Sequence, residues 1–284
     1  GTTLEVNTGA GFSVGLLDVG TSNGDGTLIL DGAGTELVVE VVTAIGNDGG
    51  TGNVMVRNQA NASFDSLFVA DTTAASTVGN LSVETGGTAN THGVSIATQG
   101  GDASGTLTID GASSTLTQTG ASTLEIGSAS GTGTATINVQ NSGVVSTGAG
   151  TTTINATGTV NGGLVGNGTF NANGAVNVDG GTLHVDGLND FNLAAGQLLT
   201  AANDAQLNFN SGLVLDDGTT FEINAGADLV AETFTIGQSS GRGTLIVDGL
   251  DSTVTSTAAS GTISTWGAFG ETADVTFRNS AQGD

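Results

Sequence analysis

One phrase recurs along this chain: an apolar-x-apolar triplet, a charged or amide residue, then a turn bearing Gly or Asn. It reads Leu28-Ile29-Leu30-Asp31-Gly32, Val54-Met55-Val56-Arg57-Asn58, Leu81-Ser82-Val83-Glu84-Thr85-Gly86, Leu107-Thr108-Ile109-Asp110-Gly111 and Ile137-Asn138-Val139-Gln140-Asn141. It returns far downstream as Leu245-Ile246-Val247-Asp248-Gly249 and Val275-Thr276-Phe277-Arg278-Asn279. Triplet starts lie 26, 27, 26 and 30 residues apart in the first run and 30 apart in the last pair. A fixed period of this size means stacked repeats, because one such unit buries its apolar side only against its neighbours. The chain is expected to be a single all-β solenoid over residues 1–284 rather than two globular domains.

A second set of motifs keeps step with the first: Leu17-Asp18-Val19-Gly20, Ala44-Ile45-Gly46, Phe68-Val69-Ala70, Ser95-Ile96-Ala97, Glu125-Ile126-Gly127, Thr153-Ile154-Asn155 and Thr235-Ile236-Gly237. Between the two sets lies a weaker apolar segment, such as Leu37-Val38-Val39, Leu116-Thr117 or Val254-Thr255. Each period therefore holds three short strands, and stacking triangular coils gives three parallel sheets with strands about 4.8 Å apart. The sequence predicts about ten coils: regular ones of 26 to 30 residues over 1–155, tighter ones approaching about 20 residues over 156–237, and regular ones again over 238–284. First and third residues of a triplet share a face. Leu28, Leu30, Val54, Val56, Leu107, Ile109, Leu245 and Val247 should point inward, while Ile29, Met55, Ser82, Thr108, Asn138, Ile246 and Thr276 form a mixed outer column. Phe170, Phe191, Phe209, Phe221 and Phe234, all in the tight section, are read as internal stacking.

With 49 Gly and no Pro, chain reversal must rest on residues that accept positive φ. The turn after each triplet is expected to place Gly32, Asn58, Gly111, Asn141, Gly249 and Asn279 in the left-handed region. Just before it, equivalent positions read Asp31, Arg57, Glu84 and Asp110, and later Asp248 and Arg278. These are read as a structural ladder in which each Arg sits one strand from an acidic partner, helping register more than stability.

Gly26-Thr27-Leu28-Ile29-Leu30-Asp31-Gly32-Ala33-Gly34-Thr35, Gly105-Thr106-Leu107-Thr108-Ile109-Asp110-Gly111-Ala112-Ser113-Ser114-Thr115-Leu116 and the Ile45-Gly46 and Ile126-Gly127 steps resemble the repeats of bacterial autotransporter-type passenger regions and related secreted surface proteins. That resemblance implies a right-handed parallel β-helix, exported and displayed at the bacterial cell surface, acting as stalk, adhesin or coat. It carries no active-site motif, and the chain lacks the Tyr and aromatic girdles of a membrane-anchoring barrel.

Asp and Glu number 27 against three Arg and no Lys, a formal net charge of −24. Nucleic acid and anionic membranes are poor partners for such a surface, and no apolar run approaches the length of a membrane span. Without Cys there is neither a disulfide framework nor a thiolate metal site. Residue 1 is Gly, so the chain is read as processed or excised, with open rungs at Leu4-Glu5-Val6-Asn7 and Val275-Thr276-Phe277-Arg278. Such rungs invite end-to-end stacking with another copy or with further coils of a longer chain.

The competing function is a β-helix polysaccharide lyase or hydrolase, which needs a basic proton acceptor or grouped carboxylates. Arg57 and Arg278 already have ladder roles, Arg242 occupies the turn place held by Asp25, and Asp216-Asp217 is read as turn-forming. No catalytic, cofactor or metal residue is assigned. His92, in a Thr-Gly turn, and His184 are read as surface residues. No cofactor is expected beyond weak Ca2+ capture by turn carboxylates such as Asp48, Asp71 and Asp102. The mixed outer column argues against an ice-binding Thr array, and Trp266 is read as a packing residue. Glycans or a host cell surface are the external partners this reading allows, and the long turns at 47–53, 71–79 and 98–105 are the places left open for binding.

Overall fold

The computed structural model of the chain describes residues 1–74, 76–99, 101–119, 121–129, 131–147, 151–162, 169–172, 175–185, 191–237, 241–258, 265–266 and 273–283. These residues form parallel strands without a helix, wound into a β-solenoid. Face one is a twelve-stranded sheet running from Thr2–Asn7 through Asp25–Asp31, Thr51–Arg57, Val78–Glu84, Ser104–Asp110 and Thr134–Gln140 to Thr253–Ser256 and Gln282–Gly283. Its register stacks Leu4, Leu28, Val54, Leu81, Leu107, Ile137, Val160, Leu183, Leu207, Leu229 and Val254 in one inward file. From Leu28 to Ile109 the first and third residues of each triplet are at most 2% exposed, whereas the middle ones are half-buried. Alternation at period two thus separates a dry interior from a wet face.

A second file explains the Gly that precedes each triplet. Gly26, Gly52, Gly79 and Gly105 pair in register where face one begins, close against the backbone at Val19, Ile45 and Val69. A Cβ on Gly52 would stand 2.1 Å from the Val19 carbonyl oxygen, and one on Gly79 would stand 2.1 Å from that of Ile45. Backbone touches backbone there, so no side chain fits.

The three-segment coil takes two forms. In the first four coils the second and third segments run on as one bent strand: Gly11–Val19, Glu36–Ile45, Asn61–Val69 and Thr88–Ile96. Glu36–Ile45 has one residue more than its neighbours, and the register shifts between Val39 and Val42, so the extra residue is extruded at the corner as a bulge. After Thr88–Ile96 the bent strand divides. Thr115–Gln118 pairs with its first half and Leu124–Ile126 with its second, giving separate faces two and three. Gln118 holds the loosened corner, its Nε2 donating to the carbonyls of Ser122 (2.7 Å) and His92 (3.2 Å). His92 accordingly lies on a strand at this corner, not in the Thr-Gly turn inferred from sequence, because the chain bends beside Gly93 without reversing.

Along the face-one file the step drops from 26–30 residues between Leu28 and Ile137 to 23, 23, 24 and 22 between Ile137 and Leu229. These shorter coils do not fit a whole number of turns between the two runs of the phrase. Leu245 pairs with Phe221 and Val275 on face three, whereas Leu28 to Ile137 belong to face one. Ile246 and Thr276 therefore do not share an outer column with Ile29 and Met55, as the sequence grouping implied. The file continues instead through Asn161, His184, Asn208 and Val230.

Candidate functional site

The corner after each phrase is the most regular polar structure in the molecule. Gly32, Asn58, Gly111, Asn141, Gly249 and Asn279 have φ of 96°, 55°, 95°, 50°, 109° and 53°, and Thr85 takes 50° in the coil where the Gly comes one residue later. Asn at this position also bonds the Asp one coil away: Asn58 Nδ2 donates to Asp31 Oδ1 at 2.7 Å, Asn141 to Asp110 at 2.7 Å and Asn203 to Asp179 at 2.6 Å. Asn279 donates likewise to Asp248. Three residues beyond the turn Gly sits a buried hydroxyl that donates to the carbonyl of the corner Asp, as Thr35 does to Asp31, Ser114 to Asp110 and Ser252 to Asp248. Ser114 and Ser252 also accept the N–H of Gly86 and Gly226 from the neighbouring coil. Asp-Gly-x-x-Ser/Thr was visible in the sequence only as turn composition; the bond across coils was not.

Each of the three Arg is spent between coils. Arg57 and Arg278 meet Asp31 and Asp248 at 2.8 Å, and Arg242 pairs with Asp274. Arg57 also stands in register with Glu84, whose carboxylate takes the Ser82 hydroxyl instead. Asn58 first, then Arg57, hold the Asp31 carboxyl below its ordinary pKa against the opposing effect of desolvation. His92 Nδ1 lies 2.9 Å from Asp65, and His184 faces Asn210 at 3.3 Å. Asp71 accepts from the Thr98 N–H and hydroxyl, and Asp102 from the Thr132 hydroxyl. Among the described residues no group of three or more His, Cys, Asp or Glu is arranged to hold a metal ion, and no helix is long and apolar enough to cross a membrane.

Among the concavities on the described faces, two gather polar and aromatic side chains. One, of about 230 Å3, opens where Phe191–Leu193 and Leu213–Leu215, successive strands of face two, belong to different sheets. Phe191, Phe209 and Phe221 line it, with Asp216 and Asp217 at one side. Phe209 and Phe221 are buried, and ring centroids 6.1–6.2 Å apart link Phe170, Phe191, Phe209 and Phe221 across the interior. Asp217 is exposed with φ of 52°, and the Asp216 carbonyl takes the Thr219 hydroxyl at 2.7 Å, so both acids build a turn. The other concavity, of about 250 Å3, lies on face three and gathers Asp18, Asn47, Phe68, Asp71 and Gln99. Trp266 pairs through its backbone with Ile236; its side chain lies outside the described residues.

No protein-family profile and no curated protein matches the sequence. Among solved structures the chain is similar to a crystal structure of a TibC-catalyzed hyper-glycosylated TibA55-350 fragment, covering 99% of this chain and 100% of that one at 11% identity. The TM-score is 0.24.

Proposed function

We propose that this chain is a non-enzymatic structural or adhesive β-solenoid, a rod of the exported bacterial surface that serves as a stalk or adhesive segment. One observation carries the reading: a twelve-stranded ladder runs from Thr2 to Gly283 while all three Arg go to holding coil against coil. At about 4.8 Å per rung that ladder is roughly 50 Å long, a length suited to spacing and display. The surface setting rests on the repeat grammar. End rungs expose Leu4 and Phe277, and further coils, from a longer chain or a second copy, would cover them and lengthen the rod.

Electron microscopy of the purified protein tests this directly. Discrete rods support the stalk, filaments growing with concentration support assembly through the ends, and compact particles overturn both. Adhesion of labelled rods to bacterial or host-cell surfaces tests the adhesive role. The enzymatic alternative would place carboxylate chemistry at Asp216 and Asp217 beside the face-two cleft. Incubation with acidic polysaccharides, following new double bonds and reducing ends, should give no product above a buffer control; a product lost in Asp217→Asn would replace our reading. Ca2+ capture by Asp48, Asp71 or Asp102 would raise the melting temperature on Ca2+ addition and lower it on chelation.

A further inference from the structure

We propose that the face-three recess around Phe68 binds a neutral pyranose sugar, an inference that gives the adhesive reading its ligand class. Phe68 occupies an outward position, and its file in register reads Asp18, Ala44, Phe68, Ser95 and Glu125. The neighbours on both sides, Ala44 and Ser95, are small, and the half-buried ring lines the recess. Aromatic faces carry negative charge density and attract the weakly positive C–H face of a sugar ring, while burying both from water.

The polar rim completes the argument. Asn47, Asp71 and Gln99, just past the ends of successive face-three strands, come together here, and Asp18 adds a fourth polar side chain. Left-handed residues end each face-three strand at Gly46, Ala70 and Ala97 (φ 69°, 52° and 49°), which sets Asn47, Asp71 and Thr98 at matching places in successive coils. Asp71 is held by the Thr98 N–H at 2.8 Å and its hydroxyl at 2.6 Å through one oxygen, Oδ1. Planar amide and carboxylate groups beside an aromatic platform, with Asp71 held in place, match the paired hydroxyls of a pyranose. Two carboxylates and no cation line the recess, which selects against uronic and sialic acids. On the corner side it runs on to Val42, and exposed Val41 and Leu16 lie next to that residue, extending the apolar floor.

Saturation-transfer NMR on the whole chain tests this, with methyl glycosides of glucose, galactose, mannose and N-acetylglucosamine as probes and glucuronate as the acidic control. Transfer to at least one neutral pyranoside and none to glucuronate is expected. Phe68→Ala should weaken binding about tenfold or more, Phe68→Trp should keep it, and Asp71→Asn should reduce it. Should Phe68→Ala fail to fold by circular dichroism, Ser95→Gln, which leaves the ring and fills its flank, should abolish transfer. Silence toward every probe, a signal unchanged in a folded Phe68→Ala, or a preference for glucuronate overturns the proposal. So does a Phe68→Ala effect confined to self-association in sedimentation. If wild-type rods adhere to cells and Phe68→Ala rods adhere equally, only the sugar site fails; if wild-type rods adhere to nothing, the adhesive reading fails.

Discussion

The coils before residue 111 and those between 156 and 237 solve the same packing problem differently. In the early coils like stands over like: inward aliphatic files, a Gly file at one corner, and a bent strand covering two faces. In the tight coils the strands are short and separate, and large rings from all three faces meet in the middle, Phe191 from face two, Phe209 from face one and Phe221 from face three. The early design transmits order along the axis, the later one also across it. The contrast shows that a solenoid can shorten its coil when bulky interior groups replace strict columnar identity.

Six substitutions probe this contrast and the corners that join the coils. The largest effect is expected for Gly52→Ala, whose methyl meets backbone at 2.1 Å: failure to fold by overpacking, read as loss of the cooperative urea transition. Gly196→Ala in the tight section, with nothing within 4 Å of the new methyl, should lose only about 1 kcal/mol for its positive φ. Next come Phe209→Ala and Leu107→Ala, each costing about 3–4 kcal/mol. Hydrogen exchange should spread to all three faces around Phe209 but stay along the 81–137 file for Leu107; equal spreading would erase the distinction. Ser114→Ala removes a hydroxyl bonded to two coils and should cost about 1–2 kcal/mol, whereas Thr43→Val, which replaces a buried hydroxyl lacking a partner among the described residues, should gain about 1 kcal/mol.

The smallest effect is electrostatic. Because the folded Asp31 carboxyl titrates below its unfolded value, its contribution is fully present above the ordinary carboxylate range and is lost as pH falls through the lowered folded pKa. Asn58→Ala should move Asp31 up toward 3.8, followed by carboxyl 13C shifts, since Asn58 is the largest cause of the lowering. No upward shift would remove the corner Asn from this role.

How much the sequence disclosed depends on what each signal reports. Leu28, Val54, Leu81 and Leu107 could be read as one file because alternation and period act on side-chain burial directly. The face carrying Leu245 could not, because an identical phrase fits any corner and only the summed length of the intervening coils decides which one it reaches. The merging of two segments into Asn61–Val69 was also hidden, since a gentle bend at Asp65 leaves no Gly or Pro mark. Asn58 was legible as a tolerant turn residue, but its bond to Asp31 spans 27 residues, beyond any local rule. Phe68 read as one more motif residue; what singles it out is the size of Ala44 and Ser95, its neighbours only once the chain is wound.

The slip of the phrase from face one to face three has a consequence for anything that grips the rod. Asp31, Arg57 and Asn58 lie along the edge between faces one and two, while Asp248, Arg278 and Asn279 repeat the same trio along the edge between faces three and one. The two ends therefore present matching handholds that point in different compass directions, so a straight partner laid along one edge meets only one of them, and a partner engaging both must wrap.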